Sequence, residues 1–200
     1  MSAHRRRPWR ARAGATLAVA VTATVALSGC FGGGWEDECE TTPEGVIECA
    51  PGNRPDAPEL AGELLDGTRY DIAADRGQVV VVNFWGSWCA PCRAEADDLE
   101  GTYQATREQG VRFLGINIQD QRDAALAFEV GRVSYPSLFD PPSRLALEFE
   151  IVPSSIPATV VLDRDGRIAV LIRATVRQEE LEPIVARVAG EQPVAAEVPD

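Results

Sequence analysis

Cys89 and Cys92, separated only by Ala90 and Pro91, are the residues whose type and spacing carry chemistry in this chain. A thiolate attacks a disulfide, and two sulfurs at this spacing form a reversible two-electron switch. What must position them is legible around them. An apolar, β-branched run, Val79 to Val82, leads through Asn83, Phe84 and Trp85 to the strand-breaking Gly86 and Ser87. Good helix formers follow (Arg93, Ala94, Glu95, Ala96), with Pro91 where an early-helix proline costs nothing. Cys89 thus falls at a helix start, whose free N–H groups and partial positive charge favour the anion and lower a thiol pKa from its ordinary ~8.5. It is the expected nucleophile. Cys92, one turn inward, is expected to be less exposed and to resolve a mixed disulfide.

Other uses of a C-x-x-C fit less well. Half a zinc site needs two more ligands, and the only histidine, His4, lies in a leader expected to be removed. Covalent haem attachment requires histidine after the second cysteine, where Arg93 stands. A merely structural disulfide leaves the strand, tryptophan and helix context unexplained.

The segment FWGSWCAPCRAE resembles the active-site segment of the thioredoxin superfamily, and most closely its extracytoplasmic TlpA-like and ResA-like branch. The similarity extends over about residues 57–189. It implies an α/β thioredoxin fold, a central mixed sheet flanked by helices, with an N-terminal β-hairpin and a central insertion. It also implies a cis-proline facing the dithiol, for which Pro157 is the candidate and Pro153 the competitor. A cis bond costs little before proline and exposes the Ile156 backbone to an extended substrate chain. Trp88, Ala90, Pro91 and Ile156 would form the substrate-binding surface, with Trp85 and Trp88 shaping docking and packing. Ordinary thioredoxin has an acid where Asn83 stands. The branch places one three residues after the second cysteine, and Glu95 matches it. Buried there, a carboxyl of raised pKa could accept the Cys92 proton; otherwise Glu95 is a favourable first-turn acid.

Along the chain, Arg5, Arg6, Arg7, Arg10 and Arg12 precede an apolar run from Ala13 to Leu27, which reads as an export signal over residues 1–29. The ending Leu27-Ser28-Gly29-Cys30 resembles a bacterial lipobox, which would make Cys30 the lipidated first residue of the mature protein. Ordinary cleavage or an uncleaved anchor are the alternatives, and a twin-arginine export route is weakly supported. Residues 30–56, rich in glycine, proline and acid, read as a tether. Within them Cys39 and Cys49 are expected to pair in an oxidising compartment, with a second redox relay as the competing use. Residues 57–189 form the domain. Its elements are a hairpin turning at Asp66-Gly67, a helix from about Pro91 to Gln109, a strand VRFLGINI, a helix over Asp120 to Glu129, a hairpin at Arg164-Asp165-Gly166 and a closing helix from Gln178 to Ala189, while Val133 to Glu150 resembles the branch's central insertion followed by a strand at Leu138-Phe139 and a short helix from Arg144 to Phe149. The alanine, proline and acid of 190–200 read as a disordered tail.

Composition excludes much else. The chain has no lysine, and beyond the leader no histidine or methionine, so histidine bases, Schiff-base lysines and lysine-bearing phosphate loops are unavailable. The leader holds five of the 19 basic residues and none of the 31 acidic ones, leaving 14 against 31, a net charge of −17. Such a surface suits neither nucleic acid nor bare anionic lipid, so membrane attachment would come from the lipid on Cys30. No metal or cofactor is implied, and a monomer is expected. The combined expectation is a lipid-anchored, extracytoplasmic thiol-disulfide oxidoreductase. It would act on protein thiols and disulfides, by the resemblance as a reductase in cytochrome c maturation with apocytochrome c as substrate, and a membrane thiol-disulfide carrier would supply its electrons. The rivals are a disulfide-forming oxidase, a peroxiredoxin-like peroxidase, which would need threonine where Gly86 stands, and a non-catalytic surface-binding lipoprotein.

Overall fold

The computed structural model describes residues 34–191. The export signal, Cys30 and residues 192–200 of the tail lie outside the described residues.

The run read as a buried strand is β5 (Val79–Trp85), and all seven of its residues are buried. It lies inside a seven-stranded mixed sheet. β6 (Val111–Ile118) and then β7 (Ser137–Asp140) extend the sheet in parallel on one side. On the other, β8 (Ala158–Leu162) pairs antiparallel with β5, and β9 (Ile168–Ile172) antiparallel with β8. Parallel neighbours need crossovers. α1 (Ala90–Thr106) supplies the first and α2 (Arg122–Glu129) the second. Alternation along β5 then divides the core. Val80, Val82 and Phe84 pack with Leu114, Ile116 and Ile118 under α3 (Arg144–Glu148) and its neighbours Phe149 and Ile151. Val79 and Val81 pack with Leu99 of α1 and with Leu181, Val185 and Val188 of α4 (Gln178–Gly190). The expected hairpin forms a separate two-stranded sheet, β3 (Ala61–Glu63) with β4 (Arg69–Asp71), turning where Gly67 takes φ +87°.

The expected tether is corrected within the described residues. From Trp35 onward the chain is folded: a 3-10 turn, then β1 (Glu40–Thr41) and β2 (Val46–Glu48) continue the sheet beyond β9, giving the order β1-β2-β9-β8-β5-β6-β7. Three-residue β2 is too short to show a strand period, and its stability is tertiary. Ile47 is buried, Cys39 and Cys49 are joined by a disulfide, and Arg54 is buried between Asp163 (3.1 Å) and Glu191 (2.6 Å). Of the acidic cluster that suggested a tether (Glu36, Asp37, Glu38 and Glu40), Glu36 has an ion-pair partner, and so does Glu48 farther along. Glu36 pairs with Arg173, and Glu48 with Arg187 at 2.9 Å.

Candidate active site

Cys89 is the N-cap of α1, and its Sγ accepts the backbone N–H of Cys92 at 3.2 Å. A sulfur holding one of the otherwise orphan donors of a helix start is stabilised as an anion. Asp120 fixes the approach to it. Its carboxylate accepts from the Ser87 N–H (2.6 Å), the Ser87 hydroxyl (2.8 Å), Asn117 Nδ2 (3.0 Å) and the Gln121 N–H (2.8 Å). Burial pushes this carboxyl up, but those bonds outweigh it and hold it below its ordinary value.

Cys89 and Cys92 are joined as a disulfide, with 4% and 3% of their surfaces exposed. The expected difference in exposure between them is therefore absent from the oxidised pair. Both cysteines lie in one apolar cluster with Leu65, Trp85 and Ala125, against which Leu126, Phe128, Phe139 and Ile156 pack. The two tryptophans divide the roles read for them jointly. Trp85 is core, while Trp88 stands 50% exposed beside exposed Ala90 and Pro91.

Ile156–Pro157 is cis, alone among the described peptide bonds, so Pro153 is not the facing proline. The Ile156 carbonyl oxygen lies 3.8 Å from Cys89 Sγ. Pro157 is buried and Ile156 half-buried.

Glu95, one turn after Cys92, is fully buried. Its Oε1 accepts from Asn83 Nδ2 and its Oε2 from the Val176 N–H, both at 2.9 Å. Burial pushes this carboxyl up to about 7, against those two bonds and with help from the charge of Asp98. Asn83 also donates to Thr159 Oγ1 at 3.2 Å, so the residue standing at the usual acid position ties Glu95 to β8.

Sequence reasoning missed a second acid. Glu129, at the end of α2, is pushed up to about 7 by burial against the hydrogen bond it accepts from the Ser137 hydroxyl. Ser137 Oγ in turn accepts from Trp85 Nε1 at 3.1 Å. Glu129, Cys92, Asn83 and Trp85 line one cavity of about 20 Å³. The signal was present: Glu129 stands four residues after buried Ala125, on the same helix face.

The family model described as AhpC/TSA family matches residues 54–171. The chain is similar to the thiol:disulfide interchange protein DsbE of Allochromatium vinosum, with 38% identity over 145 residues, 68% of this chain and 77% of that protein. It is also similar to the thiol-disulfide oxidoreductase ResA of Geobacillus kaustophilus, with 28% identity over 127 residues, 63% of this chain and 72% of that one. Among solved structures, a secreted thiol-disulfide isomerase from Corynebacterium glutamicum superposes with a TM-score of 0.70 at 34% identity, covering 76% of this chain and 98% of the other.

Proposed function

The chain belongs to the AhpC/TSA family within the thioredoxin superfamily, and from that premise we propose that this thiol-disulfide oxidoreductase works on extended protein chains through Cys89 as nucleophile and Cys92 as resolving thiol. The observation that carries the reading is the setting of Cys89 Sγ: it accepts an N–H of the first helical turn and faces the Ile156 carbonyl at 3.8 Å. In the reducing direction the Cys89 thiolate attacks a substrate disulfide, forming a mixed disulfide and releasing one substrate thiolate. Cys92, deprotonated, then attacks Cys89 Sγ. The enzyme disulfide closes, the mixed bond breaks, and the second substrate sulfur leaves with the electron pair, so two electrons have passed to the substrate.

Glu95 is a positioning residue: buried one turn after Cys92, with a pKa of about 7, it ties the dithiol helix to Asn83 and to the Val176 backbone. The Ile156 backbone beside cis-Pro157 offers an edge for an extended substrate, which supports polypeptide disulfides as the substrate class. Trp88, Ala90 and Pro91, exposed around the dithiol, supply its docking surface. The Cys39–Cys49 bond is structural, joining the two ends of the β1-β2 hairpin. The protein works outside the cytoplasm, anchored by a lipid on Cys30, as a reductase recharged by a membrane thiol carrier. The arginine-led leader, the Leu-Ser-Gly-Cys ending and the resemblance to the ResA-like branch support this. Apocytochrome c is one substrate of the right chemistry.

Insulin reduction tests the mechanism. The wild-type chain turns over and Cys89→Ala does not; turnover that survives the substitution refutes it. Dithiol proteins span about −270 to −120 mV, and a measured potential near the oxidising end of that range would overturn the reductase direction.

A further inference from the structure

Resting on that reading, a second acid enters the exchange. We propose that Glu129 serves the dithiol directly: through one water held in the cavity it shares with Cys92, it takes the proton that Cys92 gives up as the mixed disulfide resolves.

The cavity decides between the two acids. At about 20 Å³ it exceeds the ~10–15 Å³ that a single water requires, and its lining brings Cys92 to Glu129 with the Asn83 amide alongside. Glu95 is not among its lining residues, and both of its oxygens are occupied by the Asn83 and Val176 donors. Glu129 differs. Its Oε1 takes the Ser137 hydroxyl proton, which points there because Ser137 Oγ accepts the Trp85 N–H on its other side. Its Oε2 has no protein hydrogen-bond donor among the described residues. Glu129 is also only partly buried, so a proton gained from Cys92 can leave to solvent. The backbone is shaped for this contact, since a Cβ at Gly115 would lie 2.0 Å from Ser137 Oγ and 2.9 Å from Trp85 Nε1.

The step balances. In the mixed disulfide, the Cys92 thiol passes its proton to the water, and the water passes one to Glu129. The Cys92 thiolate forms the bond to Cys89 Sγ, and the Cys89–substrate bond breaks with its electron pair on the substrate sulfur, which takes a proton from solvent. In the opposite direction Glu129 returns the proton to Cys92. A base with a pKa near the working pH is the efficient one for such a transfer, and burial brings Glu129 to about 7. The charged and titratable groups around this region are Cys92, Glu95 and Glu100 on α1, the Tyr135 phenol that lines the cavity, and the Arg93 and Arg132 guanidiniums over the lining Phe128 ring. Burial, and then the charges of Glu129, Glu95 and Glu100, push that phenol up, which keeps it neutral.

Reaction of the reduced full chain, in detergent, with the chromogenic disulfide of thionitrobenzoate separates the two chemical steps, because Cys89 attack releases one coloured thiol and Cys92 resolution the second. In Glu129→Gln the first release keeps its rate, whereas the second slows at least tenfold near pH 7 and loses its inflection there, an effect in the ~10²–10⁴-fold range of a positioned base. Glu95→Gln keeps the inflection. Should Glu129→Gln fail to fold, Ser137→Ala serves, because losing the hydroxyl donor moves the inflection to higher pH. A second release within twofold of wild type in Glu129→Gln, an inflection abolished by Glu95→Gln instead, or one unmoved in Ser137→Ala overturns the role of Glu129. A wild-type chain that releases neither thiol would instead refute the oxidoreductase reading itself.

Discussion

Replacing Glu95 by glutamine removes a titration from the core, and the effect on stability follows from its position. In the unfolded chain the carboxyl titrates at its ordinary 4.5; in the fold, burial lifts it to about 7. Between those values the folded protein binds a proton that the unfolded chain does not. The contribution of Glu95 is therefore fully present below pH 4.5 and is lost as pH rises through about 7. At 1.36 kcal/mol per pH unit the gap corresponds to about 3 kcal/mol. Glutamine cannot titrate. It leaves one of the Asn83 and Val176 donors less well matched, at about 1 kcal/mol, but that offset does not vary with pH. Glu129 titrates in both proteins and cancels in the difference. Urea unfolding of the oxidised protein between about pH 4 and pH 8 measures this. The stability of Glu95→Gln relative to wild type should rise by about 3 kcal/mol across that range. Parallel curves, differing by less than about 1 kcal/mol from end to end, would refute the assignment of Glu95 as a buried acid with its pKa raised to about 7.

Three further outcomes are expected. Replacing Cys39 and Cys49 together by serine should lower stability by about 3 kcal/mol, the loop-closure value for their separation of 10 residues, while the folded fraction still reduces insulin; unchanged urea midpoints would count against a structural bond. Trp88→Ala, removing a half-exposed ring, should change stability by no more than ~0.5 kcal/mol, yet raise KM for a protein disulfide and leave the rate with a small disulfide alone. Asp120→Ala should cost about 2 kcal/mol by freeing the Ser87 donors, and since that carboxyl lies below its ordinary value, the stability it provides is lost as pH falls, opposite in sign to Glu95. Urea titrations of that variant and the wild type at acidic and neutral pH check both the size and the sign.

The parts of this fold that could be read beforehand are those in which local pattern and tertiary role coincide. Val79 to Val82 is apolar on both faces because β5 is covered on both faces, and Cys89 sits before helix formers because it caps them. Glu95 could be picked out by its distance from Cys92, although its partners, Asn83 on a strand and the backbone of Val176 ahead of α4, are joined to it only by folding. Where reading failed, the determinants were non-local. Val46 to Glu48 has too few residues for a period, and its strand character comes from the edge of β9, more than a hundred residues away. Glu36 looked like solvated acid because its partner Arg173 is equally remote in sequence. Glu129 closes a helix whose polar residues otherwise suggest an exposed face, and only Ala125 four residues earlier marks its side as inward.

The disulfide at the sheet edge has a consequence for handling the protein under reducing conditions. β9 is five buried residues, Ile168 to Ile172, and β2 covers its outer backbone. If reduction of Cys39–Cys49 loosens that cover, an apolar ribbon with unused amide and carbonyl groups becomes available to a second molecule. The same reagent that charges the dithiol therefore invites self-association, and a reductant strong enough to open both bonds should yield aggregates before it yields a better enzyme.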